Sequence, residues 1–230
     1  MASKPKVGGQ KDPDLGKIRA LAPDLVVANI EENPRDAVEQ LRAGGIPVWV
    51  TFPRTALDAI RLIREMGQVT GTAAEAEALA APLEHRYMVT VAALAGRRPA
   101  RVFCPIWRGP YMTINRDTYV HDVLAVCGGA NVFADRPQRY PTVTLEEVAA
   151  AVPEVILLPD EPFRFRPKHL PDFEAFPEIP AVASGRIHFV DGKLVTWYGR
   201  RVGEALDQLP PLLSSEGGAA PLRNLPTAPG

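Results

Sequence analysis

The chain has 230 residues, 46% of them hydrophobic and 23% charged, with a formal net charge of −1. That composition is globular, the length holds one large domain or two small ones, and the near-neutral charge gives no electrostatic case for nucleic acid or an anionic membrane surface. No apolar run reaches the ~20 residues that cross a bilayer, so no membrane span is expected.

Residues 1–13 are polar and lack an apolar core segment. No signal peptide is therefore expected in this chain, and a cytoplasmic location stays open. Asp12 or Asp14 can cap a helix that runs to about Ala22, where Pro23 ends it. A strand is expected over 24–29. Asn33-Pro34 opens a second helix with Val38, Leu41 and Ala43 on its buried side, and Gly44-Gly45 stop it. Ile46 to Phe52 reads as another buried strand. Thr55-x-x-Asp58 opens a helix to about Met66, which Gly67 should end. Residues 73–95 form the longest helical stretch, spanning roughly 34 Å at ~1.5 Å per residue, with a bend at Pro82.

A strand over 100–106 begins the second half. Asp117 or Thr118 caps a helix to Cys127, stopped by Gly128-Gly129. Thr144-Leu-Glu-Glu147 is a capping box. A strand over 154–159 follows, then a proline-rich excursion and a last strand from Gly185 to Val190. Asp191-Gly192 should turn the chain into a final helix from about Arg200 to Leu213. Residues 214–230 have no apolar period and are expected to be disordered. Cys104 and Cys127 have no metal-ligand spacing and read as free, mostly buried thiols, with a disulfide between them as the alternative.

One phrase occurs twice. LGKIRALAPDLV over 15–26 and LEEVAAAVPEVI over 145–156 each hold a short amphipathic helix, a proline stop, an acid and an apolar strand. Continuously apolar runs such as LVVAN and VILLPD suit parallel strands covered on both faces. The expected fold class is α/β. Two Rossmann-like lobes with parallel sheets, 1–72 and 96–213, are joined by one long helix over 73–95, with a cleft between them. The first lobe, with two strands, reads as incomplete.

The segments PKVGGQKDPDLGKIRALAPDLVVAN, GIPVWVTFP, HDVLAVCGGANVF, RYPTVTLEEVAAAVPEVILL and DGKLVTWYGRR carry a family resemblance. From 11 to 213 the chain resembles the helical-backbone periplasmic binding proteins of ABC importers, in particular their vitamin B12 (cobalamin) branch. The resemblance implies a periplasmic or extracytoplasmic monomer that is not an enzyme. It would carry cobalamin as transported ligand, not as cofactor, to an ABC-transporter permease. Two departures stand out. Family members have a strand and a helix before the segment matching Pro5 to Gly9. The cysteine matching Cys127 pairs, in cobalamin binders, with one in the last helix, and none is present there.

A corrin is a broad apolar disc with amide arms, so its pocket needs aromatic faces and a polar rim. Three loops expected to face the cleft supply them: Trp107, Arg108 and Tyr111 after the first strand of the second half; Tyr140 with Arg139 before the repeated helix; and Trp197, Tyr198 and Arg200 after the last strand. By resemblance, Tyr140, Trp197 and Arg200 fall on ligand-contact positions, Trp107 lies one residue from such a position, and Asn29 sits where an aromatic is common. A Trp or Tyr after a strand can equally cap the edge of the core. Docking on the permease uses one surface acid per lobe, which Glu146 matches in the second lobe and Glu32 or Glu31 in the first. Glu161 is either a cleft acid or a solvated one.

No catalytic motif is visible, and His85, His121, His169 and His188 are scattered, so no metal site is expected. The same-fold rival is a receptor for a ferric siderophore, haem or another chelated metal, kept open by Arg108, Arg139, Arg200 and Arg201. A further rival is a cytoplasmic corrinoid-handling protein or enzyme.

Overall fold

A computed structural model describes residues 4–214. The chain forms two compact units that part between Phe52 and Pro53. The tail expected over 214–230 lies, apart from Ser214, outside the described residues.

The first unit holds α1 (Leu15–Ala20), β1 (Val26–Asn29), α2 (Arg35–Ala43) and β2 (Val48–Thr51). Asp14 caps α1 by accepting the Lys17 amide at 2.9 Å. The two strands pair in parallel, Val26 opposite Val48 and Asn29 opposite Thr51. Ile18, Ala28, Val38 and Leu41 are its buried apolar side chains, while Leu21, Val27 and Ile30 stay exposed.

The second unit opens with α3 (Ala56–Thr70) and α4 (Ala73–Leu94). Thr55 and Asp58 form a full capping box at the start of α3. Gly67 does not end this helix. Gly71, with φ +70°, does, and a Cβ on Gly67 would sit 2.2 Å from that of Ala76. The glycine lets the two helices approach closely, a packing use that a stop signal resembles in sequence. Arg64 reinforces the pair, reaching Glu77 and Glu84 on α4, each at 2.6 Å. Pro82 lies inside α4, which continues through it. The compact division therefore falls well before residue 72. Ala56, Ala59 and Ile60 of α3 and Ala80 and Leu83 of α4 bury in one core with the rest of the second unit. Asp122 also accepts the Ala56 amide at 2.7 Å.

That unit is built on four parallel strands in the order β4-β3-β5-β6, where β3 is Ala100–Phe103, β4 Gly129–Asn131, β5 Val155–Pro159 and β6 Ile187–Val190. Two apolar cores cover its faces, and the period-2 alternation of strand side chains sorts residues between them. Val102, Cys104, Val155 and Leu157 pack with α3, α4, α5 (Tyr119–Val126) and the last helix. Phe103, Ile156 and Leu158 pack on the other side, with Val148 of α6 (Leu145–Ala150) and Phe173 of α7 (Leu170–Glu174). Helix α8 (Pro180–Ala183) closes that face, and α9 (Lys193–Thr196) and α10 (Arg201–Leu213) complete the chain.

The sequence missed β4, hidden in the Gly-Gly pair, because Gly129 must be small: a Cβ there would lie 2.9 Å from Val102. The proline-rich excursion is also ordered. It holds a 3₁₀ turn at Pro167–His169, then α7 and α8, with prolines in first-turn positions where their missing N–H costs nothing. The repeat, by contrast, extends to the backbone. Ala22 and Val152, the matching residues before each proline, both adopt left-handed φ, 44° and 41°.

Candidate functional site

Because β3 to β6 are parallel, their carboxyl ends share one edge of the sheet, and the loops after them gather there. The chain leaving β3 folds into a small hairpin. The Ile106 amide donates to the Met112 carbonyl at 2.8 Å and the Met112 amide to that of Trp107 at 3.2 Å. A third segment joins it: the Thr113 amide donates to Pro141 at 3.0 Å, and the Val143 amide to Tyr111 at 3.0 Å. This ribbon carries Tyr140 alongside the hairpin that carries Trp107.

Trp107 is 44% exposed and its ring stands edge-on to Phe163 of the loop after β5, 5.6 Å between centroids. Phe163 in turn meets Phe165 at 4.8 Å. Tyr111 is half-buried, lying parallel to Phe165 at 6.3 Å and edge-on to Phe173 at 5.6 Å. Arg108 does not point freely into solvent. Its Nε and Nη2 meet the Asp172 carboxylate at 2.6 and 3.2 Å, and the Tyr111 hydroxyl donates to the same group at 2.6 Å. The Arg108 guanidinium, ahead of the Tyr111 hydroxyl, holds the Asp172 carboxyl below the usual range. Burial and the facing carboxylate push the Tyr111 phenol up, so it stays a neutral donor.

Tyr140 is partly exposed, with the Arg139 guanidinium over its ring at 5.7 Å. In the loop after β6, Trp197 is 52% exposed and carries the Lys193 ammonium over its face at 5.9 Å. Tyr198 turns inward and meets Tyr119 edge-on at 4.8 Å, packing against the core. Arg200 is exposed at the start of α10. The loops after β5 and β6 are tied together. Asp160 accepts the Gly192 amide at 2.8 Å, and a Cβ on Gly192 would lie 2.6 Å from Glu161. Glu161 is thus packed on Gly192, with its Oε1 buried and without a hydrogen-bond partner.

The structure therefore brings Trp107, Arg108, Tyr111 and Tyr140 together on one ribbon, and sets Trp197, Tyr198 and Arg200 in a second loop on the same sheet edge. Phe163, Phe165 and Asp172 belong to the first group, and sequence reasoning missed them. They lie in the excursion that composition marked as loop, and only the Phe-x-Phe alternation at 163–165 hinted at a packed aromatic face.

In the first unit, Asn29 ends β1 with its side chain engaged locally: Oδ1 accepts the Glu31 amide at 2.9 Å and Nδ2 faces the Thr51 hydroxyl at 3.4 Å. Glu32 is exposed, 3.8 Å from Lys11. In the second, Glu146 is exposed in the first turn of α6, its carboxyl held low by backbone N–H and the Thr144 hydroxyl. Both thiols are free, and burial pushes each up to about 12. The Cys127 thiol donates to the Ala205 carbonyl of α10 at 3.6 Å. Among the described residues no cluster of His, Cys, Asp or Glu could hold a metal ion, and no helix is long and apolar enough to cross a membrane.

The chain is similar to a vitamin B12-binding protein of Salmonella choleraesuis, 34% identical over 152 residues, covering 63% of this chain and 54% of the relative. It is similar to another of Photorhabdus laumondii at 29% identity over 145 residues, covering 63% and 53%. It thus spans about half the length of these curated relatives. Among solved structures, the periplasmic vitamin B12 binding protein BtuF of Vibrio cholerae superimposes with a TM-score of 0.79 at 22% identity, covering 90% of this chain and 80% of that one. The periplasmic heme-binding protein RhuT of Roseiflexus gives 0.75 at 26% identity, covering 90% and 82%. The profile described as periplasmic binding protein matches residues 1–194, most of the chain, and the chain belongs to that family.

Proposed function

We propose that the protein is a solute-binding component that captures a corrinoid and delivers it to the permease of an ABC importer, outside the cytoplasm and without catalysing a reaction. The observation that carries this reading is the set of exposed aromatic faces at the carboxyl edge of the second unit's sheet, Trp107, Tyr140 and Trp197, in a chain whose curated relatives are named vitamin B12-binding proteins. Large flat side chains left in water at the ligand edge of a parallel sheet suit the apolar face of a corrin. Arg200, at the rim, suits its amide arms. Arg108, Tyr111 and Tyr198 support these faces from behind, and Asn29 shapes the end of β1. Glu146 and Glu32, exposed acids in different units, are the proposed contacts to permease arginines.

A receptor for haem or a ferric chelate is the second reading. The likeness to RhuT favours it, and so does Tyr140 lying against the Arg139 guanidinium, a pairing suited to an anionic iron complex. Calorimetry with cobinamide, cobalamin, haemin and a ferric siderophore separates the two. Micromolar or tighter corrinoid binding with tryptophan quenching is expected. Heat from haemin or the ferric chelate alone would overturn the corrinoid assignment. Trp197→Ala should weaken binding roughly tenfold while leaving the melting curve in place, since the ring is half exposed. Loss of cooperative melting in that variant would make Trp197 a core residue instead.

A further inference from the structure

The tip of the β3 hairpin buries little: Trp107, Arg108, Gly109 and Pro110 are all exposed. An aromatic face on such a tip would swing freely unless something fixed it, and a mobile face must be ordered at each binding event. Beside the backbone hydrogen bonds at the base of the hairpin, two side-chain contacts hold that face. One is the edge of Phe163 against the Trp107 ring at 5.6 Å. The other is Asp172, whose carboxylate, with only 24% of its side chain exposed, takes the Arg108 fork at 2.6 and 3.2 Å and the Tyr111 hydroxyl at 2.6 Å. The two tethered residues stand on either side of the Gly109-Pro110 turn, and Arg108 is the neighbour of Trp107. Planar guanidinium and carboxylate fix orientation as well as distance. Asp172 itself is held by α7, whose Phe173 is fully buried.

We propose that Asp172 is a positioning residue that clamps the hairpin through Arg108 and Tyr111, so that Trp107 stands preformed as one wall of the ligand site. Arg108 thereby acts as a strut and not as a ligand contact. The binding consequence rests on the corrinoid reading; the clamp itself does not.

The test uses the full chain labelled with 5-fluorotryptophan and read by fluorine NMR, with the Trp107 resonance assigned by Trp107→Phe. Asp172→Asn should shift or broaden that resonance and leave those of Trp49 and Trp197 in place, and Asp172→Glu should restore it. Tyr111→Phe, which keeps the ring and removes only the hydroxyl, should give a smaller shift. In cobinamide calorimetry Asp172→Asn should bind about tenfold more weakly, with recovery in Asp172→Glu. Should Asp172→Asn fail to fold, Arg108→Gln breaks the same tether from its exposed side. An unchanged, sharp Trp107 resonance in a folded Asp172→Asn or Arg108→Gln protein overturns the clamp. Absence of corrinoid binding by the unmodified protein overturns the function reading, while the resonance still decides on the clamp.

Discussion

At the scale of single residues, the repeated helix–proline phrase carries a backbone cost that its letters do not announce. Ala22 and Val152 both sit at left-handed φ, a region that costs L-residues about 1–2 kcal/mol, most for a β-branched one. Proline after them disfavours the α region, so each helix ends there, and the left-handed φ is a feature that both copies share. Val152 is 45% exposed and gives up little burial when replaced. Val152→Gly should therefore raise stability by about 0.5–1 kcal/mol in urea unfolding, the strain relieved outweighing the entropy glycine adds to the unfolded chain. Ala22→Gly should gain less. A destabilised Val152→Gly would mean that the side chain contributes more than its exposure implies.

At the scale of elements, helix caps were legible because they are local chemistry. Asp14, Thr55 and Thr144 each accept the amide expected of them. Glycines were not, since the same residue serves as stop or as close contact. Gly67 is the clear case: adding a methyl puts it 2.2 Å from the Ala76 Cβ. Gly67→Ala should cost about 1–3 kcal/mol by overpacking the α3–α4 contact. Ala76→Gly in the same chain should recover part of that loss, a coupling that a double-mutant cycle measures directly. Equal losses that merely add would show that the contact is not the cause. The short helices α7 and α8 escaped detection because prolines that break a long helix are welcome in the first turn of a short one.

At the scale of the molecule, both apolar cores lie entirely beyond residue 55. The fragment 53–214 should then fold cooperatively by itself. The fragment 1–52, whose two strands bury only a handful of apolar side chains, should show no cooperative transition in circular dichroism. Acid stability follows from burial. Desolvation lowers His121 and His188 below the ordinary histidine value of about 6.5. Below that value the unfolded chain binds protons that the folded chain refuses, so stability rises with pH and falls on acidification. Asp122 runs the other way, because burial raises its carboxyl and the native state takes up that proton more readily. The melting temperature should fall steadily from pH 7 to 5.5, and less steeply in His188→Gln. A flat profile would show that these imidazoles protonate in place.

Local pattern was enough for the α/β class, for every strand but β4, for the longer helices with their capping residues and for the family, because hydrophobic period, proline and side-chain oxygens act within a few residues of where they stand. It also placed Trp107 and Trp197 in loops after strands and Tyr140 in the loop before the repeated helix. Which of the neighbouring side chains face solvent and which face the protein was decided only by tertiary structure. Arg108 and Tyr111 turn to Asp172, some sixty positions away, and Tyr198 turns to Tyr119. Such pairings depend on contacts between distant segments that no local pattern encodes. The placing of α3 and α4 with the second unit was decided in the same way, by the core those helices bury and the Asp122 contact at the start of α3.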